Sequence, residues 1–126
     1  MKLLKLCAIG LLAGAASLSQ ALELRPYSAP ALTAAQGAGK PFAVLFHADW
    51  CPTCRAQEKT LNSMKGEGGL DLTVFVANYD TEKELKRQFG IRSQSTLIAM
   101  RGQKITARVI GDTSPEGLRA ALKSAF

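Results

Sequence analysis

Two cysteines three positions apart, in Trp50-Cys51-Pro52-Thr53-Cys54, are the side chains of this chain with the clearest capacity for chemistry. A thiolate is both a nucleophile and a soft metal ligand, so the spacing suits thiol-disulfide exchange or half of a zinc site. Zinc needs two more Cys or His ligands, and His47 is the only histidine. A purely structural bridge between such near neighbours closes a very small loop and removes little unfolded-chain entropy. Exchange is the expected chemistry, with no metal and no organic cofactor.

The surroundings assign roles. A continuous apolar run, Phe42 to His47, precedes the pair, and 55–64 follows it with apolar or small residues at helical spacing, Leu61 and Met64 among them. A strand therefore delivers Cys51 to a helix N-terminus, where unpaired backbone N–H groups and the helix dipole favour an anion. Cys51 is expected to be an exposed nucleophile, and Cys54, one turn on and facing inward, the thiol that resolves the mixed disulfide. Pro52 suits the first helical position. Thr53 and His47 are candidates for tuning the site. His47 either packs at the strand end or, when charged, stabilises the Cys51 thiolate. Trp50 is expected to be a half-exposed platform beside Cys51.

The remaining elements follow from punctuation and periodicity. Residues 30–36 form a short helix with Pro30 in its first turn, and Glu23-Leu24-Arg25 is a candidate edge strand before it. The run 72–77 reads as a second buried strand. Thr81 and Glu84 form a capping box opening a helix that Gly90 closes. Runs 96–100 and 105–110 make a hairpin. A last helix starts at Ser114 and Pro115 and carries Leu118, Leu122 and Phe126 as its apolar stripe. From the first buried strand onward the order is β-α-β-α-β-β-α, an α/β fold with a central mixed sheet of four to five strands flanked by helices on both faces.

Lys2 and Lys5, an apolar stretch from Leu6, and Ser19-Gln20-Ala21 read as a secretory signal over residues 1–21, in preference to an uncleaved membrane anchor, leaving one domain over 22–126. Cys7 precedes most of the apolar region, so it does not fit a lipidation site, and cleavage leaves Cys51 and Cys54 only each other as partners within a chain. Cleavage would also leave no stable membrane association. In an oxidising compartment a lone pair of this kind is a redox device. Without Lys2 and Lys5 the net charge falls from +6 to +4, and the basic residues are scattered with no interleaved aromatics. Nucleic-acid binding has no support in that pattern.

The segment Val44-Leu45-Phe46-His47-Ala48-Asp49-Trp50-Cys51-Pro52-Thr53-Cys54-Arg55 resembles the active-site segment of the thioredoxin family. Val76 to Asp80, Phe89 to Ser93, the hairpin and Val109-Ile110-Gly111 fall where that family places them, so the resemblance spans residues 41–126. It implies a thioredoxin-like fold and an exported, periplasmic protein disulfide oxidoreductase. Its implied partners are disulfide- or thiol-bearing proteins, with a membrane electron donor as a further candidate, and its implied state is a monomer. It also implies that Trp50, Ser95 and Thr96 border the partner groove.

Three positions depart from the family pattern. Ser95, in Gln94-Ser95-Thr96, stands where the family has a cis-proline that positions the partner backbone and shields the sulfurs from metal. A cis bond before a non-proline residue costs about 3–4 kcal/mol, so either that strain is retained or the bond is trans. Leu45 stands for a buried Asp, and Asn78 for the Lys that accompanies it, leaving proton transfer at Cys54 to water, Glu58 or Asp49. Ser95 and His47 also raise an alternative, a metal or iron-sulfur carrier drawing thiolates from two chains. A non-catalytic redox-sensing adaptor is the other.

Overall fold

In the computed structural model, which describes residues 21–126, the elements are β1 (Glu23–Pro26), α1 (Ala29–Ala38), β2 (Pro41–His47), α2 (Pro52–Ser63), β3 (Thr73–Asn78), α3 (Lys83–Phe89), β4 (Thr96–Arg101), β5 (Lys104–Ile110) and α4 (Pro115–Lys123). Apart from Ala21, the expected leader lies outside the described residues. The five strands form one sheet in the order β1-β3-β2-β4-β5, with β1, β3 and β2 parallel, β4 antiparallel to β2, and β5 antiparallel to β4. The candidate edge strand is present, and the sheet is mixed as expected.

The apolar run of β2 occupies the centre of the sheet because both of its faces are covered. Ala43 and Leu45 point to one side, where Leu61 and Met64 of α2 and its following turn meet Leu118, Ala121 and Leu122 of α4. Phe42, Val44 and Phe46 point to the other, against Leu32 of α1 and Leu85 and Phe89 of α3. This strict alternation follows from the two-residue period of a strand, and it gives the molecule two cores separated by one sheet.

Two expectations need correction. The capping box at Thr81 and Glu84 does not form; α3 starts at Lys83, and Glu82 before it makes no side-chain cap bond. The chain is instead held in a turn by Asn78, whose carbonyl accepts the Thr81 and Glu82 N–H groups and whose Oδ1 accepts that of Asp80. That turn consumes the residues that would have capped the helix. Phe126 lies beyond α4 and is exposed, so the buried stripe ends at Leu122 and Ala125. The other helix signals hold: Ser28 and Ser114 cap α1 and α4 through their hydroxyls, and Gly90 closes α3 with φ 65°.

Acidic pairs outside the site fix the lower end of α2 and the start of α4. Arg119 grips Glu67 through two guanidinium N–H groups, at 2.7 and 2.6 Å, while Asp112 Oδ1 accepts the N–H and hydroxyl of Ser114. The hydrogen bond from Arg119 holds Glu67, and those from Ser114 hold Asp112, below the ordinary carboxyl range. A carboxyl whose folded pKa is depressed contributes stability that is present above the unfolded pKa of about 4 and lost as pH falls through the folded value. Thermal unfolding followed from pH 6 to pH 2 should therefore drop below about pH 4, and less steeply in an Asp112→Asn, Arg119→Met double variant.

Candidate active site

Cys51 is the residue at which β2 hands over to α2. Its N–H donates to Ala48 O at 3.0 Å, closing the turn through Asp49 and Trp50, and its carbonyl accepts the first α2 bond from Arg55 N at 3.1 Å. With extended backbone angles it is the N-cap, and its Sγ accepts the Cys54 N–H at 3.2 Å where a serine hydroxyl would ordinarily serve. Pro52 occupies the first turn, where its missing N–H is not needed. Both thiols are free, and Cys54 is fully buried behind Cys51. Cys51 is itself only 4 % exposed, not the exposed residue expected, because the Ala48 turn folds its side chain back under Ser95.

Ser95 is the centre of the arrangement. Its Oγ lies 3.3 Å from Cys51 Sγ and 3.0 Å from Cys54 Sγ. No cis peptide bond occurs among the described residues, so the bond before Ser95 is trans, and the residue takes φ 64° in the left-handed region. That conformation costs a non-glycine residue about 1–2 kcal/mol and persists because its backbone is held from both sides. Ser95 N donates to Phe46 O at 2.9 Å; Ser95 O accepts Gly111 N at 2.9 Å and Gln57 Nε2 at 2.9 Å.

Burial pushes the Cys51 thiol up, but hydrogen bonds from the Cys54 and Ser95 side chains and from the Cys54 and Thr53 N–H groups outweigh it and hold Cys51 below its ordinary value. Cys54 moves the other way, raised by burial, by its bond to Cys51 and by the charge there, against smaller opposing bonds. The pair thus shares its protons unequally, with the anion on the sulfur at the helix end.

The other anticipated residues fall around this centre unequally. Trp50 is 59 % exposed and pinned by its indole N–H to Asp80 Oδ2 at 2.8 Å. Thr53 contributes its backbone N–H. His47 is buried, and its Nε2 faces Asp49 Oδ1 at 2.8 Å and Glu58 Oε2 at 3.5 Å. The bonds at the sulfurs come from Ser95 and the backbone, not from His47, and Asp49 and Glu58 are engaged with the histidine. Thr96 is a β4 residue, 1 % exposed, whose hydroxyl donates to Ser93 O, so its side chain offers no partner surface. Among the described residues no three His, Cys, Asp or Glu side chains are arranged to hold a metal ion.

A family model described as a thioredoxin-like domain matches residues 29–126. The chain belongs to this family. It is 37 % identical over 83 residues to a thioredoxin of Alicyclobacillus acidocaldarius, covering 66 % of this chain and 79 % of that protein. A thioredoxin of Acidithiobacillus ferridurans is 32 % identical over 85 residues, again with 79 % of its length covered. Among solved structures, Trxlp from Edwardsiella tarda superposes with a TM-score of 0.73 at 43 % identity, covering 80 % of this chain and 97 % of that one. With the Cys51 and Cys54 pair in place, this thioredoxin-like protein is a thiol-disulfide oxidoreductase acting on thiol-bearing proteins, in preference to the metal-carrier and adaptor readings.

Within the thioredoxin-like frame, Leu45 is wholly buried in the core shared by α2 and α4, and Asn78 is exposed at the end of β3. Gln57 is the residue that the sequence did not single out. It lies on the inward face of α2 in helical phase with Cys54 and Leu61, is completely buried, and donates to both Ser95 O and Asp112 O, at 2.9 and 3.0 Å. A polar residue on that otherwise buried stripe was the available signal.

Proposed function

We propose that this protein is exported to the periplasm and there exchanges disulfides with protein partners, Cys51 attacking and Cys54 resolving. The observation that carries the assignment is the N-cap position of Cys51, which places its sulfur on the Cys54 N–H at 3.2 Å while Cys54 is sealed beneath it. Cys51 S⁻ attacks one sulfur of a partner disulfide, the partner's S–S bond breaks, and one partner thiolate leaves. Cys54, deprotonated, then attacks Cys51 Sγ, and the second partner thiolate leaves and takes up a proton. The enzyme dithiol is oxidised by two electrons and the partner disulfide is reduced to two thiols, its sulfurs taking up the two protons given up by Cys51 and Cys54; the reverse sequence oxidises a partner.

Export is supported by Lys2 and Lys5, the apolar stretch that follows, and Ser19-Gln20-Ala21, a pattern that signal peptidase would cut after Ala21. Trp50, exposed beside Cys51, offers an apolar rim to a partner, and the working unit is a monomer. The test has two parts. Mass spectrometry of protein recovered from the periplasm should find a chain beginning at Leu22; an intact leader would contradict export. Iodoacetamide labelling below pH 8 should modify Cys51 and spare Cys54, and preferential labelling of Cys54 would reverse the roles. A glutathione titration of the pair then gives the direction of net transfer in the compartment.

A further inference from the structure

No carboxyl stands on β2 beneath the cysteines to move the resolving thiol's proton: Leu45 is buried there among apolar neighbours. The Asp49 and Glu58 carboxylates both face His47 Nε2, the Asp112 carboxylate is held by Ser114, and the Arg55 guanidinium donates to Asp49 O. None of these ionisable groups makes a hydrogen bond to either sulfur. The Ser95 hydroxyl makes one to each, at 3.3 and 3.0 Å, and has no other partner among the described residues.

A hydroxyl carries a single proton to donate and lone pairs to accept with. Lying between two sulfurs, it can donate to only one of them, so the other must donate to it. Cys51 already accepts the Cys54 backbone N–H and is the sulfur at the helix N-terminus, which makes it the acceptor. The resulting chain runs from Cys54 S–H to Ser95 Oγ, and from Ser95 O–H to Cys51 S⁻.

We propose that Ser95 is a catalytic residue of the exchange reaction and Gln57 its positioning residue: the Ser95 hydroxyl holds the Cys51 thiolate for attack and then relays the Cys54 proton as Cys54 resolves the mixed disulfide. This rests on the roles assigned above to the two cysteines. In the first step Ser95 O–H donates to the attacking Cys51 sulfur. In the second, Ser95 Oγ accepts the proton of Cys54 as its own passes to the partner sulfur leaving Cys51. Ser95 ends unchanged in protonation: it keeps the proton lost by Cys54, and the departing thiolate carries the one Ser95 gave up.

Gln57 makes this geometry possible. The left-handed backbone of Ser95 is what turns its side chain onto the sulfurs, and Gln57 Nε2 donates to the Ser95 carbonyl and to that of Asp112, tying the loop facing the cysteines to α2 and to the start of α4. Its own Oε1 is buried with no partner. A buried amide with one side unsatisfied is unfavourable as packing, and its retention fits a group kept for where its N–H groups point.

The test uses reduced protein and Ellman's reagent in stopped flow from pH 5 to 9.5, where attack by Cys51 releases one chromophore and resolution by Cys54 a second. In Ser95→Ala the first phase should be about tenfold slower below neutrality and converge with wild type at the alkaline end, and the second should slow at least about tenfold, the size of a lost hydrogen bond to a charged group. Gln57→Leu should shift both phases in the same direction by about threefold and add nothing further in the Ser95→Ala background. Both phases unchanged within twofold in Ser95→Ala overturn the relay. A Gln57→Leu effect of equal size with and without Ser95 overturns the positioning role. First-phase release at the wild-type rate in Cys51→Ser instead overturns the identity of the nucleophile, a result separable from the other two.

Discussion

Cys51→Ser loses turnover with a disulfide-bonded protein by a factor on the order of 10³ or more, because a serine hydroxyl at a helix N-cap supplies neither the anion nor the soft nucleophile that attacks sulfur. Cys54→Ser gives a different result. Cys51 still attacks, but nothing resolves the mixed disulfide, and the partner remains covalently attached until external thiol releases it. Non-reducing electrophoresis of the two variants after incubation with oxidised partner separates them: one band shift for Cys54→Ser, none for Cys51→Ser. If Cys51→Ser trapped the partner and Cys54→Ser did not, the order of the two thiols would be the reverse of that read from the helix end.

Leu45→Asp, which installs the carboxyl that the family resemblance implies for this strand, destabilises the protein instead of improving it. Leu45 is completely buried among Ala43, Leu61, Leu97 and Leu118; Asn78, where the resemblance implies an accompanying Lys, is exposed at the strand end. Replacing a packed Leu with an unpaired carboxyl removes apolar contact and forces either an uncompensated charge or a raised pKa, for a loss of about 3–5 kcal/mol. Urea unfolding at pH 7 measures it. The loss should shrink as pH falls toward 5, because protonation removes the charge. A variant as stable as wild type at pH 7 would mean that the core at Leu45 admits water or a counter-charge.

The sheet, the helix order and the cysteine pair were legible because each rests on a local pattern: a run of β-branched and aromatic residues, a cap, a spacing of three. Ser95 was legible only as a departure, since the consequence of a serine there depends on its backbone angle and on which sulfurs lie across from it. The capping box at Thr81 failed because Asn78, three residues earlier, formed a competing turn that the hydrophobic pattern does not register. Gln57 went unread for a related reason. Its partners, Ser95 O and Asp112 O, are 38 and 55 residues away in sequence, and no local period announces a side chain whose value is set by two distant carbonyls. Cys51 was read as exposed because nucleophiles usually are, whereas its burial is decided by a four-residue turn and by the loop above it.

The N–H of Ser95 is bonded to Phe46 O in the middle of the sheet. A loop facing a reactive pair is ordinarily among the first parts of a protein to open, yet this one is stitched to the central strand and to α2. In native-state hydrogen exchange the Ser95 amide should keep pace with those of β2, opening only when the whole domain does. A partner then meets a surface already set in place, and its choice among substrates is made by the shape presented to it, with no segment waiting to fold around the substrate.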